Sequence, residues 1–187
     1  MKIAYFLHTA KATDGSSKAF LHLMHDLLLK GVTPLVILPH KGEICQILQN
    51  MNIQYVILSW PARPSTYPWV NTLIGSILFI PRLVGRLLVN SLATLQSIKI
   101  IRQFSPDIIH SNSSTLAIGY YAARFLGVPH IWHIREYGDL DFNYHYYPTK
   151  KTQQRRYQLH NSYTICITKD IQQHNHLSKH DNSIVIY

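Results

Sequence analysis

The stretch that decides the fold is Val128-Pro-His-Ile-Trp-His-Ile-Arg-Glu-Tyr-Gly-Asp-Leu-Asp-Phe142. It opens as a buried strand and then sets His133, Arg135, Glu136, Asp139 and Asp141 within nine positions. An unpaired charge costs several kcal/mol or more to desolvate, so such a cluster cannot sit inside a sheet. The segment therefore reads as a strand whose C-terminal end opens into a cleft.

Working outward, apolar runs and amphipathic stretches alternate. Ile3 to Leu7, Pro34 to Leu38, Ile53 to Leu58, Asp107 to His110, Val128 to His133, Tyr163 to Ile167 and Ser183 to Tyr187 read as strands. Ser16 to Lys30, with Gly31 as its stop, Glu43 to Asn50 and Thr115 to Leu126 read as helices between them. Strand, helix, strand, repeated, predicts an α/β fold: a doubly wound, mostly parallel sheet with helices on both faces. Ligands of such sheets bind outside the carboxyl ends of the strands. His8-Thr9, Pro39-His40 and His110-Ser111-Asn112 follow other strands and bring polar groups to that same edge.

The chain has 187 residues, 47% of them hydrophobic, enough for one domain of ordinary size. The apolar run after Met1-Lys2 is too short for a signal peptide, and Cys45 and Cys166 sit among aliphatic residues without metal-ligand spacing. A cytoplasmic protein with two buried, reduced thiols is expected. The formal charge of +9 has a local cause: no Asp or Glu occurs between Glu43 and Asp107, and Lys150, Lys151, Arg155 and Arg156 form a second basic block. Such fields attract phosphates. Tyr144, Tyr146 and Tyr147 beside Lys150 raise a nucleic-acid reading, but no recognised motif supports it and no nucleic-acid partner is expected. The tyrosine-rich loop is either a lid over a ligand or a segment packed on its own core.

The loop "TAKATDGSS" from Thr9 to Ser17 places Gly15 and Ser16 at the mouth of the first helix, where amides can face an anion. The spaced glycines of a dinucleotide fingerprint are missing. Arg135 would face a ligand phosphate, with Glu136, Asp139 or Asp141 meeting ligand hydroxyls or orienting the arginine; a plain salt bridge is the competing account. The histidines show no compact zinc pattern.

"TDGSSKAFLHLMHDLLLKG", "PDIIHSNSSTLAIGYYAARFLGVPHIWHIRE", "NSYTICITKDI" and "SIVIY", in that order, resemble the N-terminal half of the GT-B-fold retaining glycosyltransferases of family 4. The first glycine of that family's Gly-Gly loop is Asp14 here, and no match to its C-terminal domain is found. The resemblance implies that residues 1–187 form one Rossmann-like N-terminal domain, with the C-terminal donor-binding domain absent from this chain. It implies transfer of a hexosyl group from a nucleotide sugar to a sugar or lipid-linked acceptor, in polysaccharide or glycolipid synthesis, with no metal or other cofactor, and an isolated domain that is inactive. It assigns Gly15 and Ser16 to the donor diphosphate and His133 to the reaction centre, as hydrogen-bond donor or through its carbonyl. Asn112, Arg135, Glu136 and Tyr144 are the expected acceptor contacts. A nucleotide-sugar or anion-binding module without catalysis is the alternative.

Trp60 to Phe104 departs from an ordinary Rossmann half. An apolar block from Trp69 to Ile80 is too short to span a bilayer, Pro81 is expected to break it, and an amphipathic helix follows from Leu83 to Arg102. Its stripe from Leu87 to Ile98 is expected to pack on the sheet. Trp69, Phe79, Arg82 and Arg86 read as an interface with an anionic membrane surface, giving a peripheral position at the inner face of the membrane.

Overall fold

The computed structural model describes residues 1–60, 66–68 and 73–186. Its main sheet is built from β1 (Lys2–Phe6), β2 (Thr33–Leu38), β3 (Gln54–Ile57), β5 (Ile108–Ser111), β6 (His130–Ile134), β8 (Ser162–Cys166) and β9 (Ser183–Val185). They run in the order β3-β2-β1-β5-β6-β8-β9, every neighbouring pair parallel. A second, two-stranded antiparallel sheet pairs β4 (Thr66–Pro68) with β7 (Tyr144–Tyr146). The expected doubly wound sheet is present, and its strand order reverses between β1 and β5.

The strands read as unbroken apolar runs because both faces are covered. On β1, Ala4 and Phe6 join a core with Ala93 and Ile101 of α3 (Leu73–Phe104) and Ala122 of α4 (Ile118–Leu126). Ile3 and Tyr5 face the other way, against Phe20 and Met24 of α1 (Gly15–Leu29) and Leu48 of α2 (Glu43–Asn50). A third cluster gathers Trp132 and Ile134 with Tyr157 of α6 (Lys150–Tyr157) and Ile171 of α7 (Lys169–His174). The first turn of α4 lies close on the sheet: a Cβ at Gly119 would stand 2.5 Å from Ser111 Oγ and 2.9 Å from Phe6 Cδ2. Cys45 and Cys166 are buried free thiols, as the sequence implies.

Two expectations about the 73–104 segment are overturned. Pro81 does not break the helix; α3 runs through it for 32 residues. Pro81 and Ile77 are both exposed, so water can meet the Ile77 carbonyl that loses its donor. The stripe from Leu87 to Ile98 does not pack on the sheet either: Leu88 and Leu95 are 61% and 63% exposed, and only Ile98 of that stripe is buried. The small residues Ala93 and Ser97, with Ile101, face inward, because small side chains let the helix backbone approach α4. The tyrosine-rich segment forms β7 rather than a loop. Trp69 lies outside the described residues.

Two strand histidines are enclosed. His130 Nε2 and Ser111 Oγ are 2.9 Å apart, and His110 stacks between Tyr5 and His133. Burial pushes His130 down to about 3, and burial, with His133, His130 and Arg135 nearby, holds His110 well below the ordinary imidazole range. Folding thus favours their neutral forms, while the unfolded chain takes up protons below about pH 6.5. Stability from these groups is complete above that pH and is lost as pH falls toward 3. A thermal melt at pH 5 should lie several degrees below one at pH 7.5, His130 alone removing roughly 2 kcal/mol; equal melting temperatures would mean that the histidines are not enclosed.

Candidate functional site

The reversal of strand order between β1 and β5 leaves a crevice at the carboxyl edge of the sheet. Three strand exits meet there: Leu7-His8 after β1, Asn112 to Thr115 after β5, and Arg135-Glu136 after β6. A cavity of about 470 Å3 opens between them, lined in part by His8, Gly15, Ser16, Arg135, Glu136 and Tyr144.

The loop before α1 is held from below. Ile44 N donates to Ala10 O (3.2 Å) and Ala12 N to Glu43 Oε2 (3.2 Å), and a Cβ at Gly42 would stand 2.5 Å from the Ala10 carbonyl oxygen. Asp14 caps α1 through its backbone only, accepting from Ser17 N and Lys18 N at 3.0 Å each. No acidic residue sits in the first turn. The amides of Gly15 and Ser16 thus head a 15-residue helix at the cavity wall, where the helix dipole favours an anion. A Cβ at Gly15 would meet nothing within 4 Å, so packing does not demand glycine there.

A string of hydrogen bonds joins the three exits. Asn112 Nδ2 donates to Ser16 O (3.2 Å), and Arg135 donates to Asn112 Oδ1 from Nε (3.3 Å) and Nη2 (3.1 Å). Arg135 Nη2 also donates to His133 Nδ1 (3.3 Å). An arginine can only donate, so His133 Nδ1 accepts and the ring proton resides on Nε2. Burial and the neighbouring guanidinium push His133 down to about 3, which keeps it neutral. Burial also lowers Arg135, with Glu136 acting against it.

Glu136 turns the other way. Its Oε1 accepts from Ser113 Oγ (2.8 Å), Ser114 N (3.0 Å) and Ser114 Oγ (2.7 Å), and among the described residues no hydrogen bond falls on Oε2. The salt-bridge alternative for Arg135 and Glu136 is not realised. Tyr144 lines the cavity with its ring stacked on Phe142, centroids 5.3 Å apart. Asp139 belongs elsewhere: it meets Lys150 Nζ and His174 Nε2, each at 2.7 Å. Burial would raise its carboxyl, but those two partners outweigh it and hold it below the usual carboxylate range.

Of the residues singled out by sequence, Gly15, Ser16, Arg135, Glu136 and Tyr144 line one cavity. Asn112 and His133 do not line it. Asn112, read as an acceptor contact, is 1% exposed with its amide spent on Ser16 and Arg135. His133, read as the residue at the reaction centre, is 9% exposed and stands behind Arg135 instead of lining the cavity. Both accept hydrogen bonds from Arg135. His8, placed at this edge by the sequence but given no role there, has an imidazole that lines the cavity without any hydrogen bond among the described residues, its Nδ1 buried. Burial, with Arg135 adding to it and Glu136 and Asp14 opposing, lowers its pKa. Its sequence signal was its place as the first polar residue past an apolar strand. Phe79 and Arg86 are half-buried on α3 and Arg82 is exposed. Among the described residues no three His, Cys, Asp or Glu side chains group as metal ligands.

Among curated proteins none matches this chain in sequence. Solved structures share its fold. The structure of Anabaena Alr3699/HepE in complex with UDP and glucose superposes with a TM-score of 0.60 at 15% identity, covering 100% of this chain and 44% of that one. Acinetobacter baumannii MurG gives 0.57 at 15% identity, covering 99% and 44%, and a glycosyltransferase from Rickettsia africae gives 0.61 at 16%, covering 99% and 42%. The chain therefore spans less than half the length of these proteins. The sequence profile of Glycosyltransferase Family 4 matches residues 15–177, beginning at the glycine that heads α1 and taking in every other element of the cavity except β1 and His8. Over that span the chain is a GT-B N-terminal domain, and it belongs to glycosyltransferase family 4.

Proposed function

We propose that the protein transfers a glycosyl group, with retention of configuration, from a nucleotide-sugar donor to an acceptor hydroxyl. This domain supplies the acceptor side and part of the diphosphate site, and a second, donor-binding domain completes the enzyme. A lipid-linked acceptor in polysaccharide or glycolipid synthesis fits the one-sidedly basic surface. The observation that carries this reading is the convergence of the α1 N-terminus, Arg135 and Glu136 on one cavity, within the segment that matches the family.

The chemistry needs charge stabilisation on one side and hydroxyl recognition on the other. As the anomeric bond breaks, negative charge gathers on the departing diphosphate. The Gly15 and Ser16 amides and the Arg135 guanidinium are fixed donors for it, held before the substrate arrives. Asn112 and His133 hold the guanidinium, and a neutral His133 does so without adding a competing positive charge. Glu136 Oε2 is left to accept from an acceptor hydroxyl. His8 is the other acceptor-facing group, because an enclosed imidazole without a partner costs roughly 1–3 kcal/mol that a ligand hydroxyl would recover.

With the protein carrying its donor domain, His8→Ala should lower kcat/KM for the acceptor by roughly 100-fold while the melting temperature stays equal or rises. A fall in melting temperature with unchanged kcat/KM would make His8 a structural residue. Gly15→Ala should fold normally, since its Cβ meets nothing within 4 Å, and should raise the donor KM by about tenfold, or about 1.4 kcal/mol. Steady-state kinetics with varied donor would show this, and an unchanged KM would remove the diphosphate assignment.

A further inference from the structure

The outer side of α3 is unlike its inner side. Inward, Ala93, Ile98 and Ile101 are locked into the core. Outward, Ile80, Val84, Leu88, Leu92 and Leu95 form an exposed apolar row about 22 Å long. Beside that row, between α3 and α4, lies a cavity of about 480 Å3 whose lining includes Leu87, Leu95, Ile98, Tyr121, Phe125 and Arg156. Phe125, 64% exposed, stands at its rim.

Charge says what such a face would meet. The helices α3, α4 and α6 contain no Asp or Glu, against four Lys or Arg on α3, one on α4 and four on α6. Two guanidiniums flank the cavity over aromatic rings one helical turn apart: Arg102 lies 5.6 Å from the Phe125 ring centre and Arg156 5.3 Å from that of Tyr121. Two copies of so basic a face would repel one another, whereas an anionic surface with apolar depth complements both its charge and its leucines.

The helix is long and apolar enough to cross a bilayer by length and composition, from Ile77 to Phe104. Its inner side from Ala93 onward, however, is packed into the domain core, and in the half before it Arg82 and Asn90 lie on the side of the helix opposite Leu88. Such a helix lies on a membrane and does not span it.

We propose that the face formed by α3, α4 and α6 docks on a bilayer of anionic phospholipid, with one acyl chain entering the α3–α4 cavity and Arg102 and Arg156 at the level of the phosphates. This moves the membrane contact from Trp69–Arg86 toward Val84–Leu95 and α4, and it does not depend on sugar transfer. The 187-residue chain should co-sediment with vesicles containing phosphatidylglycerol at least tenfold better than with pure phosphatidylcholine, and added salt should weaken it. Leu88→Glu with Leu95→Glu should abolish binding with an unchanged far-ultraviolet circular dichroism spectrum, and Arg102→Gln with Arg156→Gln should erase the preference for anionic vesicles. A Phe125→Trp variant should be quenched by lipids brominated on the acyl chain beyond the quenching of the unaltered chain. Absence of binding to anionic vesicles would overturn the proposal. So would equal binding by a folded double-glutamate variant, or a chain dimer in solution that the same two substitutions dissolve.

Discussion

The mouth of the sheet depends on the buried side chain of Asn112. One carboxamide reaches the first turn of α1 through its Nδ2 and takes two donors from Arg135 on its Oδ1. Three segments far apart in sequence, residues 15–16, 112 and 133–135, are thereby fixed at hydrogen-bond distance. A buried amide satisfied on both ends holds its neighbours more rigidly than an exposed one, because no water competes for the bonds. The parallel register brings the exits of β1, β5 and β6 to one edge, and the amide then sets their spacing.

Charge at that edge is separated and not neutralised. Arg135 is bound by neutral groups, Asn112 and His133, while Glu136 is bound by the hydroxyls and amide of Ser113 and Ser114. A direct pair between the two would have quenched both. Holding them apart leaves a cation and a carboxylate facing one cavity. The neutral His133 matters for the same reason: a second cation there would push Arg135 away from its place.

Much of this was legible in the sequence, for identifiable reasons. The seven main strands fall within one or two residues of where apolar runs place them, because a parallel sheet covered on both faces needs such runs on both sides. The helix α6 was not legible, since KKTQQRRY turns only Gln153 and Tyr157 inward; the one local signal was Thr149, whose hydroxyl caps it by accepting from Thr152 N. On α3 the wheel revealed an apolar stripe but not its direction, which Ala93 and Ser97 decide by being small enough to pack closely. At the site, residue types at a strand exit and at the mouth of α1 picked out Arg135, Glu136, Gly15 and Ser16, which share one cavity, but burial is a tertiary property. Nothing in the spacing told that Asn112 and His133 would stand behind the cavity and His8 at its wall.

The same three-dimensional arrangement makes a sharp statement about one proton. Because Arg135 donates to His133 Nδ1 inside an enclosed site, the ring should remain neutral with its proton on Nε2 down to pH 5, in keeping with a value pushed down to about 3. Imidazole nitrogen-15 shifts of His133 followed from pH 8 to pH 5 read both properties at once. A neutral Nε2–H ring throughout is the predicted result; a proton on Nδ1, or titration near the ordinary value of 6.5, would contradict the hydrogen-bonded string that organises the site.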